Sequence, residues 1–263
     1  ARSNGITVEQ AQRLTTDKGE WLLHKAVKTG QTIETLIPAM VNQAINKLPI
    51  PKPMRWGAER IQFIRPVHTL TLMYGDKVIN GETLGVAANN LLQGHRFHHH
   101  GLVSLPHADE YEAVMKQAFV VVDYDARQQT IVEQIKAAER ELNGEALVDQ
   151  ALLDEVTALV EWPVTLIGSF DEEFLKVPAE PLIYSMKDHQ KYFPVKDKQG
   201  NLINKFIFVA NIESKEPEKV VFGNEKVIRP RLADAEFFFK TDKKQTLESR
   251  LASLESVLFQ KQL

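Results

Sequence analysis

Apolar residues recur at helical spacing in several parts of the chain. Between residues 32 and 48 they fall three or four positions apart, which is the period of an amphipathic helix. Thr7 followed by Gln10 has the spacing of a helix-capping box. We therefore predict a helical N-terminal segment, residues 1–50, and a helical C-terminal segment, residues 215–263. The same pattern predicts helices at 126–142, 147–160, 181–190 and from 217 onward.

Between these helices the pattern changes to runs of β-branched and apolar residues, which are typical of strands. Two runs flank Gly75-Asp76, a dipeptide that favours a hairpin turn, and two flank a turn at 197–201. Hairpins argue against a purely parallel sheet. The predicted fold class is therefore mixed α/β (α+β), a mixed sheet with packed helices over residues 51–214, after a Pro-rich connector at 49–53. The predicted strands are 67–74, 77–86, 118–123, 164–170, 192–195 and 202–212.

The composition is that of a soluble globular protein, with 43% hydrophobic and 25% charged residues. The absence of cysteine excludes disulfides and thiolate chemistry and fits a reducing cytosol. No apolar run reaches the roughly 20 residues that a membrane helix needs, so no membrane partner is expected. The start has no initiator Met or signal peptide, and Leu263 follows an amphipathic helix without a capping signal. We expect a piece of a longer protein.

Charge is distributed unevenly around a formal net value of −3. Residues 145–180 hold nine acidic residues and one Lys, whereas residues 181–205 hold five Lys and two Asp. Residues 52–65 are also basic, with one Lys and three Arg against Glu59. A nucleic acid needs positive charge where its backbone passes. It would have to avoid the acidic region and use the two basic ones, although solvated faces of different sign explain the pattern equally well.

The first candidate group is Arg55, Trp56 and Arg65, at the entry to the first predicted hairpin. Arg can bind phosphate in a bidentate manner, and Trp can stack on a base. In the alternative interpretation, Trp56 anchors the core and Arg65 pairs with an acidic residue.

The second group lies in residues 93–101, which hold four of the eight histidines. A metal site is disfavoured because consecutive side chains of an extended segment point to opposite sides. His95 and Arg96, which follow Gly94, are candidates for a polar loop that lines a pocket. An ordinary exposed loop is the remaining alternative.

The third group is Lys187, His189 and Lys191, at a predicted helix-to-strand junction. Lys187 and Lys191 are four residues apart and share a helix face if the helix continues that far, an arrangement that suits an anion or a partner subunit. Arg229 and Arg231 form the fourth group. They lie on the polar side of the C-terminal helix, where phosphate contact and an internal pair with Asp234 are both possible.

Several longer stretches go beyond these local patterns. Together they resemble, in order, the β subunit of the bacterial α2β2 glycyl-tRNA synthetase. These stretches are LPIPKPMRWG (48–57), GHRF (94–97), LVEWPV (159–164), QKYFPV (190–195), FVANIES (208–214) and GNEKVIRPRLADAEFF (223–238).

The resemblance implies that the catalytic core, with its ATP and magnesium, belongs to the α subunit. It implies that the β subunit binds tRNA(Gly) and holds the cytoplasmic heterotetramer together. The central part of this chain is expected to be similar to the editing domain of the phenylalanyl-tRNA synthetase β subunit. No catalytic residue, metal or cofactor is predicted in the chain.

The four groups, Arg55, Trp56, Arg65, His95, Arg96, Lys187, His189, Lys191, Arg229 and Arg231, are therefore the candidates for contact with tRNA or with the α subunit. Two alternatives are hydrolytic editing of mischarged aminoacyl-tRNA and a purely structural assembly role. Editing is less needed for glycine, because a pocket sized for the smallest amino acid excludes larger ones.

Overall fold

A computed structural model of the chain describes residues 7–8, 11–58 and 60–256. The strands are β1 (Gln12–Thr16), β2 (Gly19–Leu23), β3 (Met54–Arg55), β4 (Gln62–Phe63), β5 (Met73–Tyr74), β6 (Lys77–Val78), β7 (Glu82–Thr83), β8 (Val86–Ala87), β9 (Leu91–Gln93), β10 (Leu102–Ser104), β11 (Glu145–Ala146), β12 (Val164–Ser169), β13 (Phe193–Lys196) and β14 (Leu202–Ala210). The helices are α1 (Ile33–Lys47), α2 (Tyr111–Gln117), α3 (Tyr124–Leu142), α4 (Gln150–Leu159), α5 (Ala179–Tyr184), α6 (Pro217–Asp242) and α7 (Leu251–Leu254).

The contacts divide the chain into two units. The first unit comprises residues 1–72 and 79–88, and the second comprises residues 73–78 and 89–263. The segment boundaries predicted at residues 50 and 214 stay predictions. No helix among the described residues is long and apolar enough to cross a membrane.

The first unit contains a hairpin on the N-terminal side of the predicted helix at 32–48. β1 and β2 pair antiparallel around the turn at Asp17-Lys18, so the short start that precedes the predicted helix within segment 1–50 contains a hairpin that the sequence pattern did not predict. Gln10 of the predicted capping box lies outside the described residues. The predicted helix at 32–48 is confirmed by α1, with Thr32 as its N-cap. The helix ends before Pro49, since a residue that precedes Pro disfavours the helical conformation.

The predicted hairpin at Gly75-Asp76 is confirmed as β5–β6, but its strands are shorter than predicted. The second run turns again at Leu84-Gly85, where both residues have positive φ, 53° and 75°. Two consecutive residues in this conformation form the tight turn of a two-residue hairpin. β7 and β8 therefore make a separate hairpin in the first unit.

The second unit is built on a four-stranded sheet with the order β11-β13-β14-β12. Every strand pair in the described part of the chain is antiparallel, so the mixed strand direction that we predicted is wrong. The mixed α/β composition with packed helices is confirmed. The two central strands, β13 and β14, are joined by a hairpin at the predicted turn. In this turn the Asp197 side chain accepts hydrogen bonds from the N–H groups of Gln199 and Asn201.

Alternation along β14 explains the two cores of the second unit. Ile207 faces a core formed with α3 and α4, whereas Phe206 and Phe208 face a core formed with α5 and α6. Successive side chains of a strand point to opposite faces of the sheet, so one buried strand serves both layers. The sheet is thus enclosed between two pairs of helices, and α3, α4, β12 and β13 confirm their predicted positions within a few residues.

Residues 118–123 do not form the predicted strand. The chain turns at Ala118-Phe119, with φ +60° at Phe119, and continues as extended backbone. Val120 and Val122 pack against a small core that includes Leu92. Burial of the apolar side chains thus explains the sequence pattern, and the segment enters no sheet of the described chain.

The helix predicted at 181–190 is only partly regular. α5 ends at Tyr184, and residues Ser185–His189 form a π-helical turn. Lys191, which follows, has φ +61°, a left-handed conformation that costs a non-glycine residue roughly 1–2 kcal/mol. Helix and strand therefore meet at a strained junction.

Gly168 in β12 lies opposite Phe206 in β14, and a Cβ at this position would lie 2.7 Å from Cε2 of the buried ring. We expect Gly168→Ala to lower the free energy of unfolding by about 1–3 kcal/mol through overpacking. Gly223→Ala on α6 is the matched control, because a Cβ there meets no atom within 4 Å. Urea unfolding of both variants checks this. Equal stability of the two would contradict it.

Candidate functional site

His95 is the centre of a buried polar cluster in the second unit. Its side chain is 1% exposed, and its Nδ1 accepts hydrogen bonds from the backbone N–H groups of Phe97 and His98 at 3.2 and 3.3 Å. Because Nδ1 is the acceptor, Nε2 carries the proton and donates to the Asn211 carbonyl at 2.7 Å. The imidazole therefore fixes its own loop and ties it to the end of β14.

Asn211 extends this cluster to a third segment. Its Oδ1 accepts hydrogen bonds from the backbone N–H groups of Glu161 and Trp162, at 2.7 and 2.9 Å. The Glu161 carbonyl in turn accepts a hydrogen bond from the N–H of Val121. Three stretches that carry the family resemblance, 94–97, 159–164 and 208–214, thus meet at one place.

Aromatic rings accompany the hydrogen bonds. His98 lies between His95 and Phe119, with centroid distances of 4.6 and 5.1 Å, and Phe119 meets Trp162 edge-on at 5.2 Å. His98 Nε2 also accepts the N–H of Glu213 at 3.0 Å. The His-rich segment is therefore partly structural. Among the described residues, no group of three or more His, Cys, Asp or Glu could hold a metal ion.

A groove of about 570 Å³ adjoins this cluster. Its apolar wall includes Val120, Val122 and Trp162, and its polar lining includes Lys116 and Glu213. His95 does not line this groove, since its ring is enclosed by the loop. The role predicted for His95 as a pocket donor is therefore replaced by a structural one.

Lys187 and Lys191 are both paired with carboxylates of the acidic region. Lys187 Nζ pairs directly with Asp149, and Lys191 Nζ lies 2.9 Å from Glu155 Oε2. The hydrogen bond from Lys187 makes the largest contribution to lowering the pKa of Asp149 below its usual value. The basic stretch therefore neutralises part of the acidic one within the fold. His189 remains exposed, with its ring edge-on to Tyr184 at 5.1 Å.

Arg229 is also paired, but with a residue that sequence reasoning did not choose. Its Nε donates to Asp171 Oδ2 at 2.8 Å, whereas we expected Asp234 on the same helix. The hydrogen bond and the charge of Asp171 raise the pKa of Arg229. Arg231 is exposed and has no ion pair within the described chain.

In the first unit, Arg55 lies on β3 and is exposed, Trp56 is half-buried, and Arg65 is exposed. Neither Arg has an ion pair among residues 11–58 and 60–256. Of the seven Arg and Lys candidates, three (Lys187, Lys191 and Arg229) pair with carboxylates. The other four, Arg55, Arg65, Arg96 and Arg231, have no ion pair among the described residues.

One exposed side chain near the site was missed from the sequence. Phe97 follows Arg96 in the loop and is 66% exposed. The GHRF stretch contained the signal, because a phenylalanine between Arg and His has no apolar neighbour in sequence.

Comparison with known proteins identifies the chain as part of an aminoacyl-tRNA synthetase subunit. The family model described as "Glycyl-tRNA synthetase beta subunit" matches residues 1–263, the whole chain. The chain therefore belongs to the glycyl-tRNA synthetase β subunit family.

Curated relatives agree with this assignment. The chain is 69% identical to the glycine–tRNA ligase beta subunit of Colwellia psychrerythraea over 263 residues. It is 60% identical to that of Pseudoalteromonas translucida and 59% identical to that of Psychromonas ingrahamii. Each comparison covers 100% of this chain and 38% of the relative. The chain thus spans well under half the length of these relatives.

We expect Asn211→Ala to destabilise the second unit by about 1–3 kcal/mol, because the N–H groups of Glu161 and Trp162 lose their acceptor. Asn211→Asp keeps an acceptor oxygen and should lose less than half of that amount. Thermal or urea unfolding measures both. Identical losses would show that the hydrogen bonds of this side chain are not what stabilises the segment.

Stability should fall on the acid side in a manner that depends on Lys187. Since folding lowers the pKa of Asp149, its carboxylate stabilises the fold fully above the unfolded value of about 4, and this contribution is lost as pH falls through the folded value. Lys187→Gln should lower the free energy of unfolding at pH 7 by roughly 0.5–1 kcal/mol and by less at pH 3.

Urea unfolding at pH 7 and pH 3 measures this difference. Asp149→Asn serves as the control, because it preserves a helix N-cap but cannot titrate. A Lys187→Gln effect of the same size at both pH values would contradict the ion-pair interpretation.

Proposed function

We propose that the chain works as part of the β subunit of glycine–tRNA ligase, the enzyme that joins glycine to tRNA(Gly) with ATP. The match of the family model to the whole chain carries this proposal. We assign the aminoacylation centre, with ATP and magnesium, to the α subunit. This chain contributes tRNA binding and assembly of a cytoplasmic α2β2 enzyme.

The charge pattern supports a contact with tRNA through a subset of the predicted residues. A cation already paired with a carboxylate adds little net charge toward a phosphate, which disfavours Lys187, Lys191 and Arg229 for this role. The four arginines that have no ion pair within the described part of the chain, Arg55, Arg65, Arg96 and Arg231, are the better candidates. Each can release counterions when it meets a phosphate, so binding should depend on salt.

The sheet and helices of the second unit supply a scaffold for the surface loops that would contact a partner. An antiparallel sheet enclosed by helices gives a rigid support for surface loops, and the buried cluster at His95 and Asn211 fixes one of them. We propose that this region corresponds to the part of the family that is similar to the editing domain of the phenylalanyl-tRNA synthetase β subunit. Support for this correspondence comes from the sequence resemblance.

Charge reversal tests the tRNA contact in the complete α and β enzyme. Arg65→Glu and Arg231→Glu should each raise KM for tRNA and reduce the slope of log affinity against log salt by about one, with KM for glycine and ATP unchanged. Lys198→Glu, on the exposed β13–β14 turn, is the charge-matched control. Aminoacylation assays at two salt concentrations provide the readout.

Unchanged tRNA kinetics in both variants and in the double variant would contradict the tRNA contact. Loss of the α subunit during purification, with normal tRNA affinity in the remaining complex, would instead assign these residues to assembly. A β subunit without effect on glycylation by the α subunit would contradict the functional assignment itself.

A further inference from the structure

The turn at Arg96 and Phe97 presents two side chains that the fold itself does not use. Phe97 is 66% exposed, and its ring contact is a tilted one with His95 at 6.1 Å between centroids. Arg96 is exposed and has no carboxylate partner within the described residues. An aromatic ring offers a large apolar area, so leaving it in water gives up a stabilisation that a partner can recover.

The turn is held rigidly from beneath. The N–H of His95 donates to the Ala118 carbonyl at 2.8 Å, and the N–H of His99 donates to the His95 carbonyl at 2.9 Å. The His95 ring adds the two hydrogen bonds to the N–H groups of Phe97 and His98. Because the backbone is already ordered, a partner that binds Phe97 does not have to pay for ordering the loop.

The surroundings of the turn in sequence favour an anionic partner. Residues 83–108 contain no Asp or Glu, although the protein as a whole has a net charge of −3. The same 26 residues contain one Arg or Lys, which is Arg96. Glu213 is the acidic residue tied to the loop by hydrogen bonding, and it contributes its backbone N–H rather than its carboxylate.

We propose that this turn binds a single-stranded part of an RNA, with Phe97 stacked on an unpaired base and Arg96 on a neighbouring phosphate. Stacking within a double helix covers the flat faces of bases, whereas loops and single-stranded ends hold unstacked bases that aromatic side chains can reach. Arg next to an aromatic residue matches the alternation of charge and ring along a nucleic-acid strand. The inference rests on the proposed function, and it adds a residue and a recognition mode to it.

The test uses the complete enzyme of α and β subunits and tRNA(Gly), with dissociation constants measured by filter binding at two salt concentrations. Phe97→Ala should weaken binding about five- to hundredfold, with an unchanged salt slope, because stacking involves no counterion release. Phe97→Trp should restore affinity. Arg96→Ala should weaken binding and lower the salt slope by about one.

The matched control is Phe237→Ala on α6, where the ring is 61% exposed. This variant should bind tRNA as the unaltered enzyme does. Because Phe97 is exposed, Phe97→Ala should also keep the unfolding temperature of the enzyme, so that a weaker affinity does not reflect unfolding.

Normal tRNA affinity in Phe97→Ala would overturn the inference. Loss of the α subunit in that variant, without a change in tRNA affinity, would also overturn it and make the turn a protein contact. If Phe97→Ala and Arg96→Ala bind normally while Arg65→Glu and Arg231→Glu do not, this inference fails and the proposed function stands. If the unaltered enzyme does not bind tRNA(Gly), both fail.

Discussion

The buried imidazole of His95 holds together three segments that are far apart in sequence, and the exposed loop at residues 96–97 is built on this connection. His95 uses both ring nitrogens, and its bond to Asn211 joins residues 116 positions apart in sequence. The Asn211 side chain in turn accepts a hydrogen bond from the backbone N–H of Trp162. A buried polar group that lacks a partner is costly, so substitution of the His95 or Asn211 side chain should destabilise the cluster, whereas Glu161 and Trp162 contribute only backbone N–H groups to it. The loop that carries Arg96 and Phe97 is ordered by its hydrogen bonds to the His95 ring, which makes these exposed residues suitable for recognition.

Electrostatics within the second unit follow from the same folding of distant segments onto one another. The acidic stretch supplies Asp149, Glu155 and Asp171, and these carboxylates pair with three of the cations that sequence alone suggested for a polyanion. What remains for a partner is a smaller set of arginines. A count of charges along the sequence therefore overestimates the basic surface of such a protein.

Local patterns predicted the elements of this fold better than its connections. The periodicity of α3 and the turn at Asp197 are properties of neighbouring residues, and both were predicted correctly. The run 118–123 was misread because burial, and not strand pairing, explains its apolar residues. The partner of Arg229 lies 58 positions away, and no periodicity reveals such a pair. Family resemblance identified the segments that meet, but the role of Phe97 required its exposure in the structure.

The left-handed backbone at Lys191 has a consequence for how the junction is maintained. An exposed ion pair such as that with Glu155 contributes about 0–1 kcal/mol, less than the roughly 1–2 kcal/mol that the conformation costs. Burial of Tyr192 and Phe193, 5% and 0% exposed, must therefore hold the chain in this conformation. Glycine would adopt the left-handed backbone without strain, but it could not form the ion pair with Glu155. Position 191 therefore cannot satisfy both requirements, and the burial of Tyr192 and Phe193 keeps Lys191 in the strained conformation.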